Sequence, residues 1–389
     1  MTNVEISRLA TKIRAVTGLT DSPIALHEPY FGGHEWQYVK ECIDTGWVSS
    51  VGKYVDLFEQ KLSEFTGARH AIAVVNGTAA LQVALELAGV QAGDEVLMPA
   101  LTFIATANAA TYLNAIPHFV DVEYRTLGID ARKLADYLVD LCIIENGQCI
   151  NRQTGRRIKA VVPMHTLGHP VDMDPLIQVC ERFHLELVED AAESLGSYYK
   201  GRHTGTFGKA SAISFNGNKV ITTGGGGAIL TNDSELARRA KHLTTTAKVP
   251  HRWQYIHDER GYNFRMPNIN AALGCAQLEQ LPAFLAYKRS LAEHYMRALA
   301  EIPNVSVFRE PEHGQSNYWL NALVLDERST TSCEEIIEQL QAEQIYCRPM
   351  WKLLNELPMY RDLPTMPLSQ SIDIERRLIH LPSGVKSPS

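Results

Sequence analysis

The sequence has no Cys-x-x-Cys pair, no His-Glu-x-x-His, no Gly-x-Ser-x-Gly and no Gly-Lys-Ser/Thr. Metalloprotease, serine-hydrolase and P-loop nucleotide chemistry therefore have no support. Seven cysteines (Cys42, Cys142, Cys149, Cys180, Cys275, Cys333, Cys347) are scattered and odd in number. That argues for a reducing compartment and against a disulfide frame or a zinc site, and no metal is expected. Basic excess is missing as well. The net charge of −7 favours solubility and argues against a nucleic-acid partner. No apolar run approaches bilayer length, and the opening Met-Thr-Asn-Val-Glu-Ile-Ser-Arg has no apolar core of signal type. A cytoplasmic protein without a membrane partner is expected. Repeats and low-complexity tracts are absent too.

What is present is an ordinary globular composition, 45% apolar and 21% charged over 389 residues, enough for two or three domains. Residues 1–30 contain Pro23 and Pro29 and read as an arm or a loop leading into the fold. Glu35 to Asp44 and Val55 to Phe65 read as helices stopped by Gly46 and Gly67. Strand-like runs then alternate with helical ones. His70 to Val75, Val96 to Met98, His118 to Val122 and Lys159 to Pro163 read as strands, and residues 145–157 as a polar loop or small hairpin. Between them, Ala79 to Ala88, the stretch from Leu101, Ala131 to Val139 and Pro175 to Phe183 read as helices. Such alternation predicts an α/β fold, a mainly parallel sheet covered on both faces. From about residue 265 the order becomes α+β, with a long helical region, Asn268 to Ile302, that Pro282 is expected to break or kink. The expected division is an arm and large α/β domain over 1–264 and a smaller α+β domain over 265–389.

The chemistry concentrates between Leu187 and Gly227. One apolar run, Leu185 to Val188, ends in Glu189 and Asp190; a second, Ala210 to Phe215, leads to Ser214, Asn216 and Lys219. In open α/β sheets ligands sit outside the carboxyl ends of strands. An acid and a lysine delivered there suit pyridoxal phosphate, which needs an amine for its Schiff base and an acid at its ring nitrogen. Lys219 and Asp190 are the candidates. Against this, a single acid commonly pairs with an arginine, and a lysine is usually a solvated surface group. The glycines Gly224 to Gly227 read as a tight turn feeding a strand from Ala228 to Leu230. Asn76-Gly77-Thr78, between a strand and a helix, is either a phosphate site at a helix start or an ordinary N-cap in which Thr78 satisfies its own helix. Phe103 is either core packing or a lid on a ring. His34, His118 and His165 are read as structural or surface groups.

Taken in order, Asn-Gly-Thr-Ala-Ala-Leu, Pro-Ala-Leu-Thr-Phe-Ile-Ala-Thr, Glu-Asp-Ala-Ala-Glu-Ser-Leu-Gly, Ser-Phe-Asn-Gly-Asn-Lys and Gly-Tyr-Asn-Phe-Arg-Met resemble the DegT/DnrJ/EryC1/StrS sugar aminotransferases. The resemblance runs from about Leu26 to Pro382 and implies a fold-type-I pyridoxal-phosphate enzyme. Two flanking stretches, Glu35 to Lys53 and Arg348 to Leu354, resemble the branch serving legionaminic acid synthesis. That branch implies amination of UDP-4-keto-6-deoxy-N-acetylglucosamine, with L-glutamate as donor.

The resemblance also implies roles. Gly77, Thr78 and Ser214 would hold the phosphate, Phe103 would stack on the ring, Asp190 would bind its nitrogen and Lys219 would carry the coenzyme. Asn263 would reach the phosphate of a neighbouring subunit, making a homodimer the active unit. Glu193 falls near the ring hydroxyl, where relatives vary. Trp47, Arg348 and Trp351 are candidates for nucleotide-sugar contacts, or else plain packing and surface charge. The alternatives are another keto-sugar nucleotide (dTDP- or GDP-linked, aminated at C3 or C4) and a pyridoxal-phosphate-binding regulator without turnover. Retention of the lysine favours transamination.

Overall fold

The computed structural model describes residues 1–386. Its centre is a mixed sheet of β1 (His70–Val74), β2 (Glu95–Pro99), β3 (Ile116–Val120), the hairpin β4 (Cys142–Glu145) and β5 (Gln148–Asn151), β6 (Arg157–Val161), β7 (Glu186–Asp190), β8 (Ala210–Ser214) and β9 (Gly227–Thr231). The order is β1-β9-β8-β7-β6-β2-β3, with the hairpin joined to β6 through β5. Neighbours from β8 to β3 are parallel, and β9 runs antiparallel to both β1 and β8. The parallel strands are near-continuously apolar (Val-Leu-Met in β2, Leu-Val in β7) because both faces are covered. Strands β1, β7 and β8 point the same way, so residues 74–76, Asp190 and Ser214 share one rim. Gly227 starts β9 at that rim, in register with both Val74 and Ser214.

The helices are α1 (Asn3–Thr17), α2 (Glu35–Thr45), α3 (Lys53–Thr66), α4 (Gly77–Leu87), α5 (Ala105–Thr111), α6 (Ala131–Leu141), α7 (Met173–Phe183), α8 (Ser234–Thr244), α9 (Asn268–Leu299), α10 (Cys333–Ala342) and α11 (Ser369–Arg377). One buried cluster joins a face of the sheet to α4, α6, α7 and α8; a second joins the other face to α3, α9 and the C-terminal layer. That layer is a four-stranded antiparallel sheet of β10 (Val305–Val307), β11 (Asn321–Leu325), β12 (Arg348–Pro349) and β13 (Leu378–Leu381), ordered β10-β11-β13-β12. Among the described residues no helix is long and apolar enough to cross a membrane.

Two expectations from the sequence need correcting. Helix α9 runs unbroken through Pro282. A proline inside a helix removes one hydrogen bond at a cost of about 3 kcal/mol. Here α2 and α3 pack along the helix and bury Leu278, Leu281 and Phe284 around it, and tertiary packing of this kind outweighs a local defect. The first half of the leading segment is not a loop either. Thr2 and Glu5 form a capping box that starts α1, and Ile6, Leu9, Ala10 and Ile13 are buried against Leu291, Tyr295, Ile336 and Leu340. The first helix is thus packed with the C-terminal layer. Leu9→Ala should lower the unfolding free energy, read from the urea midpoint, by about 2–5 kcal/mol. A loss below about 0.5 kcal/mol, as at a surface site, would show that α1 is only loosely attached.

Candidate active site

The shared rim opens into a cavity of about 340 Å³. Of the residues singled out in the sequence, Gly77, Thr78, Phe103, Asp190, Glu193, Ser214, Lys219 and Trp351 line it. Asn263 is exposed and bridges Thr245, lining no part of the cavity. Arg348 is exposed outside it, and Trp47, 57% exposed, borders a separate cavity of about 390 Å³ beside Cys42 and Tyr54. His118 and His165 are buried core groups bonded to Glu95 and Glu189, while His34 lies at the surface beside Glu279.

At one end of the cavity is the start of α4. Asn76, not Thr78, is the cap: its side chain accepts from Ala79 N at 2.8 Å. The amides of Gly77 and Thr78 and the Thr78 hydroxyl have no protein acceptor among the described residues. Free amides at a helix start attract anions. Close approach makes this cradle possible. A Cβ on Gly77 would come within 2.8 Å of the Ser214 Cβ, and one on Gly227 within 2.4 Å of the Asn76 carbonyl carbon. Any larger residue at either position would push the loop away from the strands.

Across the cavity lies Asp190, the last residue of β7 and 4% exposed. Its Oδ2 accepts from Thr106 Oγ1 at 2.7 Å and its Oδ1 from Ala192 N at 3.2 Å. Burial pushes its pKa up, and these bonds and the charge of Lys219 only partly oppose that. A buried carboxylate of this kind gains most from a cation set against it. The neighbouring Glu189 points to the opposite face of the strand. It accepts from the amides of Gly205, Phe207 and Gly208 at 2.6–2.7 Å and so anchors the loop before β8.

Lys219 Nζ sits between these ends. It is 3.2 Å from Glu193 Oε1 and 4.0 Å from the centroid of the Trp319 ring. Glu193 Oε2 accepts from Leu167 N at 2.9 Å. Leu167 has φ +56°, a left-handed conformation that costs a leucine energy and that this bond helps to hold. Phe103, half exposed, and Trp351 meet edge-on at 6.3 Å over the opening. Thr106 and Trp319 were missed in the sequence. Thr106 had a signal, standing in the first turn of the helix that follows β2. Trp319 had none, because it arrives from the other layer, a hundred residues after Lys219.

These groups fit pyridoxal phosphate. An anion cradle lies at one end, a buried acid without a fixed counter-cation at another, a lysine amine between them and aromatic rings over the mouth.

Comparisons with known proteins agree with this fit. The model of the DegT/DnrJ/EryC1/StrS aminotransferase family matches residues 29–387. The GDP-perosamine synthase of Caulobacter vibrioides is 38% identical over 349 residues, covering 89% of this chain and 90% of that protein. The GDP-perosamine synthase of Escherichia coli O157:H7 is 37% identical over 361 residues, covering 92% and 93%. Among solved structures, Helicobacter pylori PseC, an aminotransferase involved in the biosynthesis of pseudoaminic acid, superposes with a TM-score of 0.83 at 27% identity, covering 93% and 94%. Two of these names carry guanosine diphosphate rather than the uridine diphosphate that the flanking stretches implied.

The carboxyl of Glu193 makes a pH prediction. Burial pushes its pKa from 4.5 to about 7 despite the opposing charge of Lys219. In the coenzyme-free protein the folded state therefore keeps a proton that the unfolded chain has released. The stability Glu193 contributes is full at low pH, falls as pH rises through about 4.5 to 7, and is lost above that. The span is on the order of 3 kcal/mol. Glu193→Gln should remove this slope, so the variant gains stability relative to wild type between about pH 5 and about pH 8. Parallel denaturation curves at the two pH values would contradict it.

Proposed function

Because the chain belongs to the DegT/DnrJ/EryC1/StrS aminotransferase family, we propose that it transfers the amino group of L-glutamate to the ketone of a GDP-linked sugar. That it is a pyridoxal-phosphate-dependent sugar aminotransferase follows from the family. The relatives named GDP-perosamine synthase support the guanosine nucleotide. The stretches Glu35 to Lys53 and Arg348 to Leu354 favour a second reading, the UDP-linked 4-keto sugar of the legionaminic acid branch. The observation that carries the proposed residue roles is the meeting of Lys219, Asp190 and the open start of α4 around one cavity.

When bound, pyridoxal phosphate supplies an aldehyde that exchanges amines and a ring that takes up an electron pair. In our reading the free amides of Gly77 and Thr78, with the Thr78 and Ser214 hydroxyls, hold its phosphate. Asp190 keeps the ring nitrogen protonated, and Thr106 holds the carboxylate in its orientation. Lys219 acts as nucleophile and base only as the neutral amine, and Glu193 Oε1, 3.2 Å away, orients its nitrogen. The same amine would take the proton from the alpha carbon of L-glutamate and pass it to the coenzyme, then in the second half-reaction deliver a proton to the sugar carbon that receives the amine. Phe103 and Trp351 limit water at the mouth.

A homodimer completes this reading. Asn263 faces solvent rather than its own cavity, and Trp36, Ile43, Trp47 and Val51 form an exposed apolar face on and after α2. Such a face suits an interface. Asn263 and Trp47 would then serve the partner's site.

Purified protein loaded with coenzyme, L-glutamate and a panel of GDP-, UDP- and dTDP-linked keto sugars should yield an aminated GDP-sugar, identified by mass. Amination of the UDP-sugar alone would support the legionaminic reading, and no product from any of them would leave neither standing. Lys219→Ala should lower the rate by at least about 10²–10⁴-fold, the range of a lost acid–base group.

A further inference from the structure

Lys288, on α9, is fully buried, with 0% of its surface exposed, and no carboxylate among the described residues is bonded to it. Lysines are almost never buried so completely unless paired. Its amine instead meets three acceptors: Ser383 O at 2.7 Å, His27 Nε2 at 2.9 Å and Trp319 O at 3.1 Å. That set satisfies all three N–H bonds of an ammonium. Burial brings the Lys288 pKa down to about 7. His27 is held well below its ordinary value by burial and by the charges of Lys288 and Lys219, so it serves as a neutral acceptor. Both lysines act on one imidazole, which sets them in the same electrostatic neighbourhood.

The contact with Trp319 links this cluster to the active site. Trp319 N donates to Asn317 Oδ1 at 2.8 Å, and its indole N–H donates to the carbonyl of Asn218, the residue before Lys219, at 2.6 Å. The ring lies 4.0 Å from Lys219 Nζ. Around the same point Ser383 N donates to Leu26 O at 2.7 Å, and Ser383 Oγ accepts from Asn321 N at 2.8 Å. The leading segment, α9, the small sheet and the chain end are therefore tied together behind one active-site ring. A methionine at position 288 would fill the volume without the desolvation cost of a cation. What it could not do is grip the two carbonyls.

We propose that Lys288 is a positioning residue that clamps the Trp319 backbone and so keeps the indole under the Lys219 amine. The inference rests on the aminotransferase reading above.

The test is Lys288→Met in the coenzyme-loaded enzyme. Its kcat should fall about tenfold while KM for L-glutamate stays within about twofold. The pH midpoint of the bound coenzyme's visible band should move by about half a unit. Trp319→Phe should lower kcat similarly, and adding Lys288→Met to it should cost less than about a further twofold, since both act through one contact. Wild-type kcat and midpoint in a Lys288→Met enzyme that merely melts lower would overturn the proposal, as would fully multiplicative losses in the double variant. If Lys288→Met does not fold, His27→Gln carries the test. It should shift the midpoint and kcat in the same direction but less, and no change in either would overturn the proposal. A wild-type enzyme that transaminates nothing would instead refute the aminotransferase reading.

Discussion

A carboxylate held out of water at the end of a buried strand is the constraint around which the site is arranged. Asp190 has a hydroxyl and an amide as partners, and burial still outweighs them. No arginine closes the account in the protein itself. A cationic ring placed there gains from the same desolvation that penalises the free acid, because Coulomb attraction strengthens as local dielectric falls. Binding and folding are thereby coupled: a coenzyme that binds the folded chain stabilises it by mass action. The parallel order of β1, β7 and β8 delivers the open start of α4, the acid and the lysine to one edge. The antiparallel β9 then brings a glycine against that edge, where a side chain would block the cradle.

The large sheet, its helices and most of the residues that line the cavity were legible because they rest on local signals. Apolar runs of strand length, each ending in a polar residue, marked Asp190 and Ser214, and the lysine followed within the same stretch. The strand–turn–helix around Asn76 to Thr78 was legible as a choice between a cap and an anion site. In the structure Asn76 is the cap, and the amides of its neighbours stay open.

What stayed hidden depends on tertiary contact. Pro282 reads as a breaker in isolation, yet α9 continues through that residue with other helices packed along it. The leading segment reads as a loop by its prolines, while its capping box and the stripe Ile6, Leu9, Ile13 carry the opposite message. Trp319 and Lys288 belong to neither pattern. Each is an unremarked residue in a helix or loop, and their meeting with His27 and Ser383 joins segments hundreds of residues apart. Trp47, Arg348 and Asn263 lie outside the cavity, a placement that no local pattern in the sequence signals.

The central claim is that one amine, at position 219, carries the coenzyme. Borohydride reduction of the coenzyme-loaded protein followed by peptide mass mapping tests it most directly. The account predicts a single reduced coenzyme adduct on the peptide containing Lys219 and none on the peptide containing Lys288. An adduct on another lysine, or no adduct in protein that retains the coenzyme's colour, would contradict it.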